Sequence, residues 1–318
     1  MEIPPQGGPT WITRTSGGQV GSSGFRQLRH EDAEQVAALY AQAFGEWRRL
    51  DAEEIRSWLR NEELKPELLR VLEIDGRVAG YGDIELHENE IALDVAAPGH
   101  WGLFLDWAEE TGHARGMPRV RAYFPADHEL AQIVRRRGYR LWRSSFTMET
   151  SLDSSTRVML PDDIHLRTYR PEIDETQLRA AINDVFADDP FHHYLSPSRF
   201  REFYLKGRGY DPSLWMLAWD GTELAGFVLA YPQREGDTKL GWISDLGVRM
   251  PWRHRGLGEA LLRAAFLELH ARGLRRVGLG VDTENVSGAL RLYERVGMHA
   301  VSRADNWVLD LPNLPESH

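Results

Sequence analysis

The strongest constraint on the fold is that the second half of the chain repeats the order of sequence signals in the first. In each half an opening segment leads into a run with helical spacing of apolar residues, and a strand–turn–strand pattern centred on Asp-Gly follows. These segments are 25–32, 33–44 and 71–81 in the first half and 164–170, 172–186 and 215–228 in the second. The recurrence predicts an internal duplication of about 140 residues; the alternative is two unrelated α+β domains that share common local signals.

The length and local composition suggest where the domains begin and end. A chain of 318 residues can bury two separate cores. We predict domains at 25–150 and 164–318, joined by a linker at 151–163 in which Ser, Asp and Pro cluster. The stretch 1–24 is rich in Gly, Pro, Ser and Thr and resembles neither a core segment nor a secretory signal. We therefore expect a disordered arm there, and a cytoplasmic protein.

The overall charge and composition exclude several classes of function. A formal net charge of −10 argues against a nucleic-acid-binding surface, which needs clustered Lys and Arg. No window approaches the roughly eighteen consecutive apolar residues of a membrane span. The absence of cysteine excludes disulfides, a thiol nucleophile and thiolate metal sites. Neighbouring Asp and His pairs at 188–193 lack the spaced partners that a metal site needs, so no metal is predicted.

A glycine-rich turn at 248–258 is the segment that most directly indicates a function, the binding of an anion. It separates an apolar, strand-like run at 242–248 from an amphipathic segment at 258–272 that has helical spacing. A turn of this kind exposes backbone N–H groups at the positive end of a helix dipole, which suits a phosphate or pyrophosphate. Arg253 and Arg255 add positive charge and fork-shaped donors.

The bare spacing R-x-x-G-x-G is a weak signal, because this chain contains it three times. The copies at 77–82 and 275–280 fall in or beside predicted strands, with no helix start after them. Only the copy at 253–258 lies between a strand and a helix. The turn also lacks the G-x-x-x-x-G-K-[ST] of a nucleoside-triphosphate loop and the third glycine of a dinucleotide fingerprint.

The turn resembles the acetyl-CoA pyrophosphate loop of the GCN5-related N-acetyltransferase (GNAT) superfamily. It reads Val248-x-x-Pro251-x-Arg253-x-Arg255-Gly256-Leu257-Gly258-x-Ala260-Leu261-Leu262. A second block, Asn285-x-x-x-Ala289-x-x-Leu292-Tyr293-x-x-x-Gly297-Met298, is similar to another motif of that family. The paired layout looks like tandem GNAT proteins. The resemblance implies an α/β (α+β) fold of two tandem domains, each a twisted, mostly antiparallel mixed sheet flanked by helices.

The resemblance also implies a set of residues that hold acetyl-CoA. The amides of the turn would bind the pyrophosphate, and the preceding strand would pair through its backbone with the pantetheine arm. The implied residues are Leu246, Gly247, Val248, Arg253, His254, Arg255, Gly256, Leu257, Gly258, Asn285 and Tyr293. A solvated basic turn at the start of a surface helix is the alternative for the loop. Asn285 could instead cap the following helix.

Two residues are candidates for the chemistry of acyl transfer. By the resemblance, Tyr293 would give a proton to the departing CoA thiolate; the alternative is a packed core tyrosine. Family members often carry a glutamate on the strand before the loop, and here that neighbourhood reads Ser244-Asp245. Asp245 is the candidate general base, relaying through water to the acceptor amine, or else a structural partner of the loop or strand edge.

The first half reads as a degenerate copy. The stretch 93–102, which corresponds to the phosphate loop, contains no arginine, and Ile133 or Val134 stands near the position of the tyrosine. We expect this half to keep the fold and to have lost cofactor binding, and to line the acceptor site or stabilise the second half.

The leading hypothesis is an acetyl-CoA-dependent N-acetyltransferase. It would transfer the acetyl group to a primary amine of a small molecule or peptide, by direct attack in a ternary complex. The alternative is a non-catalytic CoA- or acyl-CoA-binding regulatory module. We expect a monomer or homodimer without nucleic-acid or membrane partners.

Overall fold

The computed structural model describes residues 23–60, 65–189, 192, 194–206, 209–234, 236–284 and 288–312. Most of the predicted N-terminal arm, residues 1–22, lies outside them. Ser23 and Gly24, which were also predicted to belong to that arm, are part of the first strand.

The first half alternates strands and helices as its periodicity predicts. Its elements are β1 (Ser23–Gln27), α1 (Ala33–Phe44), α2 (Ala52–Trp58), β2 (Leu69–Ile74), β3 (Arg77–Leu86), β4 (Ile91–Ala96), α3 (Trp101–Ala114), β5 (Arg119–Pro125), α4 (Leu130–Arg136) and β6 (Arg140–Ser151). Ser151, the first residue of the predicted linker, is the last residue of β6. The rest of the predicted linker, 152–163, contains neither helix nor strand.

The second half repeats this order with one addition. Its elements are β7 (Ile164–Thr168), α5 (Pro171–Val185), α6 (Pro197–Phe200), β8 (Trp215–Asp220), β9 (Glu223–Tyr231), β10 (Leu240–Val248), α7 (Leu257–Ala271), β11 (Arg276–Asp282), α8 (Ala289–Arg295) and β12 (His299–Asp310). The addition is a π-helical turn, Arg201–Leu205, which continues directly from α6.

The chain forms two compact units whose boundaries differ from the predicted domains. Unit 1 contains the chain up to Ser144 and the segment from Ala304 onward, and unit 2 is Ser145–Arg303. The last strand of each half is therefore divided, so that residues 145–151 of β6 belong to unit 2 and residues 304–310 of β12 belong to unit 1. A sequence repeat shows which segments correspond, but it does not show which sheet a strand joins.

Each unit is built on a mixed sheet flanked by helices, as predicted. In unit 1 the order is β1-β2-β3-β4-β5 followed by residues 304–310, and all neighbours are antiparallel except β4 and β5. In unit 2 the order is β7-β8-β9-β10-β11 followed by residues 145–151, and only β10 and β11 are parallel. Each sheet has its own apolar core, with Phe104 and Trp307 in the first and Trp215 and Phe227 in the second.

The same ionic clamp closes the first helical segment of both units. In unit 1 the Arg26 guanidinium donates to both carboxylate oxygens of Asp32, at 2.7 and 2.8 Å. In unit 2 Arg167 does the same with Asp174, at 2.5 and 2.7 Å. Both aspartates are buried and also accept a backbone N–H. Recurrence of this three-part arrangement at matching positions supports the duplication.

The first hairpin turns at the predicted Asp-Gly pair, and the second turns one residue later than predicted. Ile74 pairs with Arg77, so Asp75 and Gly76 form the turn, and both have positive φ as a type I′ turn requires. In unit 2 Asp220 pairs with Glu223, which places Asp220 in the strand. Gly221, with φ of 56°, then takes the first turn position.

In both units the parallel strands separate beyond a short paired stretch. Strand β4 pairs with β5 from Ile91 to Leu93, and β10 pairs with β11 from Leu240 to Ile243. A turn and a helix follow the first strand of each pair. None of the helices in the described part of the chain is both long enough and apolar enough to cross a membrane.

Candidate active site

The predicted site residues of β10 and of the turn after it lie where β10 separates from β11. A β-bulge interrupts β10 at this point, because Ile243 pairs with Ala230 while Asp245 pairs with Leu229, which leaves Ser244 as the extra residue. Beyond the bulge, residues 245–248 pair with β9 on one side, and no pairing with β11 is recorded on the other. Apart from the Val248 carbonyl, which accepts from the Arg253 side chain, their backbone groups on that side are available to an extended, amide-bearing ligand.

The turn after β10 presents an uncapped helix start. Residues 250–252 form a 3₁₀ turn, His254 has a φ of 62°, and Gly256 has a φ of 81° at the N-cap of α7. No side chain of the described residues caps this helix, and its first backbone bond runs from the Ala260 N–H to the Gly256 carbonyl. The N–H groups that precede Ala260 in the turn of the helix therefore remain as donors for an anion.

The two arginines of the turn are held differently. The Nε of Arg253 donates to the Val248 carbonyl at 2.9 Å, so this side chain ties the turn back to the end of β10. Arg255 is exposed, and its only ion pair among the described residues is a long contact of 3.9 Å with Asp163. Arg255 is therefore the more available of the two for a phosphate, while Arg253 shapes the loop.

Three glycines of the site are required for different reasons. A Cβ on Gly247 would lie 2.4 Å from the Phe227 ring, so this glycine makes room for a cross-strand side chain. A Cβ on Gly258 would lie 3.1 Å from Leu292, so Gly258 lets α8 pack against the start of α7. Gly256 has open space around it and is required by its positive φ alone.

Asp245 lies inside a group of hydroxyl-bearing side chains. The Tyr204 hydroxyl donates to its Oδ1 at 3.2 Å. Burial raises the pKa of Asp245, and hydrogen bonds from Ser244 and Tyr204 act against that rise. No Lys, Arg or His of the described residues is recorded as a partner of this carboxyl. A carboxylate without a neutralising cation is free to accept a proton.

Tyr293, on α8, lies within electrostatic reach of Asp245. It is 8% exposed, and burial, with a contribution from the charge of Asp245, raises the pKa of its phenol to about 12. The phenol is therefore protonated throughout the neutral range, which is the form that a proton donor needs. The two residues predicted for catalysis therefore lie within electrostatic range of each other.

The structure adds residues that the sequence did not indicate. Tyr204 reaches Asp245 from the π-helical turn, and the charge of Asp245 also contributes to the raised pKa of Tyr231 on β9, for which burial is the main cause. Neither a π turn nor a bulge has a pattern that could be read from spacing alone. Asn285, predicted to contact the pantetheine arm or cap α8, lies outside the described residues.

The corresponding opening in unit 1 contains different chemistry. Asp94, which follows the last paired residue of β4, accepts a hydrogen bond from the Tyr40 hydroxyl at 2.8 Å and forms an ion pair with Arg48 at 2.6 Å. The turn that follows contains no arginine, and α3 begins after His100 without a side-chain cap. No group of three or more potential metal ligands occurs among the residues that the structure describes.

Comparison with known proteins agrees with this geometry. The model of the acetyltransferase (GNAT) family matches residues 179–298. The mycothiol acetyltransferase of Geodermatophilus obscurus is 33% identical over 248 residues, which cover 71% of this chain and 78% of that protein. A GCN5-related N-acetyltransferase from Sphaerobacter thermophilus superposes with a TM-score of 0.77 at 27% identity, over 92% of this chain and 97% of that one.

A second solved structure bears on the fold alone. A tandem GNAT protein from the clavulanic acid biosynthesis pathway superposes with a TM-score of 0.70 at 16% identity, over 92% of this chain and 99% of that one. The matches confirm the predicted fold class and the predicted acetyltransferase activity on an amine, and they give no support to a non-catalytic module. The chain belongs to the GNAT family of acetyltransferases.

Proposed function

We propose that unit 2 binds acetyl-CoA in the opening between β10 and β11 and transfers its acetyl group to a primary amine by direct attack within a ternary complex. One observation carries this proposal: the uncapped start of α7, the open edge of β10, Asp245 and Tyr293 surround the same opening. Acetyl-CoA supplies the activated acyl group, and the chain supplies binding, orientation and proton transfer.

The residues around the opening fit the chemistry of this substrate. The N–H groups at the start of α7 and the exposed guanidinium of Arg255 match a pyrophosphate. His254 and Leu257 supply further amides of the turn. The edge of Leu246–Val248 offers backbone donors and acceptors to the amides of the pantetheine arm. An N–H on this edge would also stabilise negative charge that develops on the carbonyl oxygen.

We assign Asp245 as the general base. Asp245 is buried, and no Lys, Arg or His of the described residues lies beside it, so it takes up a proton at a higher pH than an ordinary aspartate. It would take a proton from the acceptor ammonium, directly or through a water molecule, and the neutral amine that results would attack the thioester carbonyl. Tyr293 would donate its proton to the departing thiolate.

The acceptor is the finer part of the proposal. The matched relative is named a mycothiol acetyltransferase, so the unacetylated amine form of mycothiol is the first acceptor to test. The cytoplasmic location, the monomeric or dimeric state and the absence of nucleic-acid partners stay predictions.

The test begins with binding. Acetyl-CoA is titrated calorimetrically into the whole protein, and CoA release is then measured with the mycothiol precursor and a panel of small-molecule and peptide amines. We expect saturable binding, and turnover with at least one amine that Asp245→Asn lowers by about 100-fold or more. Saturable binding without release from any amine would contradict the transferase assignment for these residues, and full activity of Asp245→Asn would contradict the assigned base.

A further inference from the structure

We infer that Tyr204 is a positioning residue that orients Asp245 and sets the pH range in which it works as a base. The inference rests on the proposed role of Asp245. Its geometric basis is the hydrogen bond of 3.2 Å from the Tyr204 hydroxyl to Asp245 Oδ1, made across 41 residues of sequence.

The π-helical turn is what delivers this hydroxyl. Residues 201–205 insert a wider turn directly after α6, and within it Tyr204 is 5% exposed while the adjacent Phe203 is 70% exposed. π turns are rare and are frequently found at functional sites, and the extra residue changes the direction in which the following side chains point. Here the redirected side chain is the one that reaches the base.

Tyr204 is held rigidly by aromatic neighbours. Its ring packs 5.2 Å from that of Phe200 and 6.0 Å, edge to face, from that of Trp215. Trp215 pairs with Leu229, and Leu229 pairs with Asp245, so the three side chains lie in one row on one face of the sheet. Tyr204 therefore packs its ring against Trp215 at one end of this row, and its hydroxyl reaches the Asp245 carboxylate at the other end.

The hydrogen bond also acts on the protonation of the base. The groups that face Asp245 are Tyr204 from the π turn, Tyr231 from β9, Tyr293 from α8 and its own neighbour Ser244. Donation from Tyr204 stabilises the carboxylate and opposes the rise in pKa that burial causes. Removing that donor leaves burial less opposed, so the pKa of Asp245 must rise further.

The variant Tyr204→Phe tests the inference, with Tyr210→Phe as the matched control. Tyr210 belongs to the same aromatic group, with its ring 5.1 Å from that of Trp215, but no described residue bonds to its hydroxyl. We expect Tyr204→Phe to lower kcat/KM for the amine about ten-fold at neutral pH and to move the acidic limb of the pH profile to higher pH. The KM for acetyl-CoA should not change. Tyr210→Phe should leave the limb in place.

Two further measurements separate this inference from the proposed function. In the protein without substrates, the carboxyl ¹³C signal of Asp245 should titrate at higher pH in Tyr204→Phe than in the wild type. In an Asp245→Asn background, Tyr204→Phe should cause no further loss. An unshifted titration, or an equal loss in both backgrounds, would overturn the positioning role and leave Asp245 as the base. A fully active Asp245→Asn would instead remove the base, and the inference with it.

Discussion

Units 1 and 2 open their sheets in the same place and surround the openings with different side chains. In both units a parallel strand pair separates, a turn follows, and an aspartate at the point of separation accepts a hydrogen bond from a buried tyrosine. In unit 1 that aspartate, Asp94, is also paired with Arg48. In unit 2 no cation is recorded beside Asp245 among the described residues.

The difference teaches that the fold supplies the opening and a handful of residues supply the chemistry. An ion pair removes the proton-accepting capacity that a base needs, and a turn without arginine offers a pyrophosphate only backbone donors. On α4 of unit 1, Ile133 and Val134 stand near the position that corresponds to Tyr293 on α8. We therefore expect unit 1 to keep the architecture without an equivalent site, and two equivalent acetyl-CoA sites per chain would contradict this.

The largest effect is expected for Gly256→Val compared with Gly99→Val. Both glycines precede the helix that follows the opening, both have φ near +80°, and both have open space around a Cβ. The backbone strain is therefore matched, at about 1–2 kcal/mol. We expect Gly256→Val to weaken acetyl-CoA binding by about 1,000-fold, because it moves the amides that we propose hold the pyrophosphate.

Calorimetric titration of both variants checks this prediction. Gly99→Val should keep the wild-type affinity. Equal losses in the two variants would show that the units do not differ in the way proposed.

The next effect concerns stability and should be alike in both units. Arg167→Met leaves the fully buried Asp174 with only the Arg170 N–H and a long contact of 3.9 Å with the Arg170 guanidinium. We expect this to lower the free energy of unfolding by about 3 kcal/mol at pH 7. Arg26→Met should do the same to Asp32. Urea unfolding of the two variants and the wild type measures both losses.

The pH dependence of these losses has a definite sign. Burial acts to raise the pKa of Asp174, but hydrogen bonds from Arg167 and Arg170 outweigh it and hold the pKa below its usual value. Stabilisation from the pair is present above the pKa of an unfolded aspartate, about 3.9, and is lost as the pH falls through the lower folded pKa. In Arg167→Met the Arg167 donor no longer acts against burial, so the pKa of Asp174 rises and protonation removes the buried charge. The gap between variant and wild type should shrink from pH 7 to about pH 4, and a constant gap would contradict a charge effect.

Tyr293→Phe should lower kcat about 100-fold with little change in the affinity for acetyl-CoA, because only the proton donor is lost. Tyr139→Phe in unit 1 is the control. Its hydroxyl donates to Glu109, and we place it in no catalytic role. Steady-state rates and calorimetric affinities measured on the same preparations make the comparison, and an unchanged kcat in Tyr293→Phe would remove its acid role.

A small effect is expected for Arg48→Met, which removes the cation beside Asp94. We expect a loss of about 1 kcal/mol in the free energy of unfolding and no change in kcat/KM. Arg49→Met removes an exposed pair with Glu46 and should cost about 0.5 kcal/mol or less. A large fall in kcat/KM with Arg48→Met would mean that unit 1 takes part in the reaction.

Much of the fold could be predicted because its signals are local. The apolar spacing of 33–44 predicted α1 to the residue, and that of 172–186 predicted α5 within one residue at each end. The two decoy copies of R-x-x-G-x-G do lie in or beside β3 and β11. Local backbone preference and periodicity determine these features, so no long-range information was needed.

Other features were beyond the reach of sequence patterns. The Phe227 ring that occupies the space beside Gly247 comes from a neighbouring strand, and nothing in the local sequence of β10 indicates it. The pair Arg48–Asp94 joins residues 46 positions apart, and nothing in their spacing indicates it. Contacts of this kind depend on strand register, which the whole sheet sets.

By itself the sequence indicated a duplicated α/β protein with one arginine- and glycine-bearing turn between a strand and a helix, because turn chemistry and periodicity are local. The tertiary structure alone decided that the final strands of the halves are divided between the units, and that a bulge at Ser244 and a π turn at 201–205 bring Asp245 and Tyr204 together. The physical reason is that strand partners and buried side-chain neighbours are chosen by packing across long stretches of sequence.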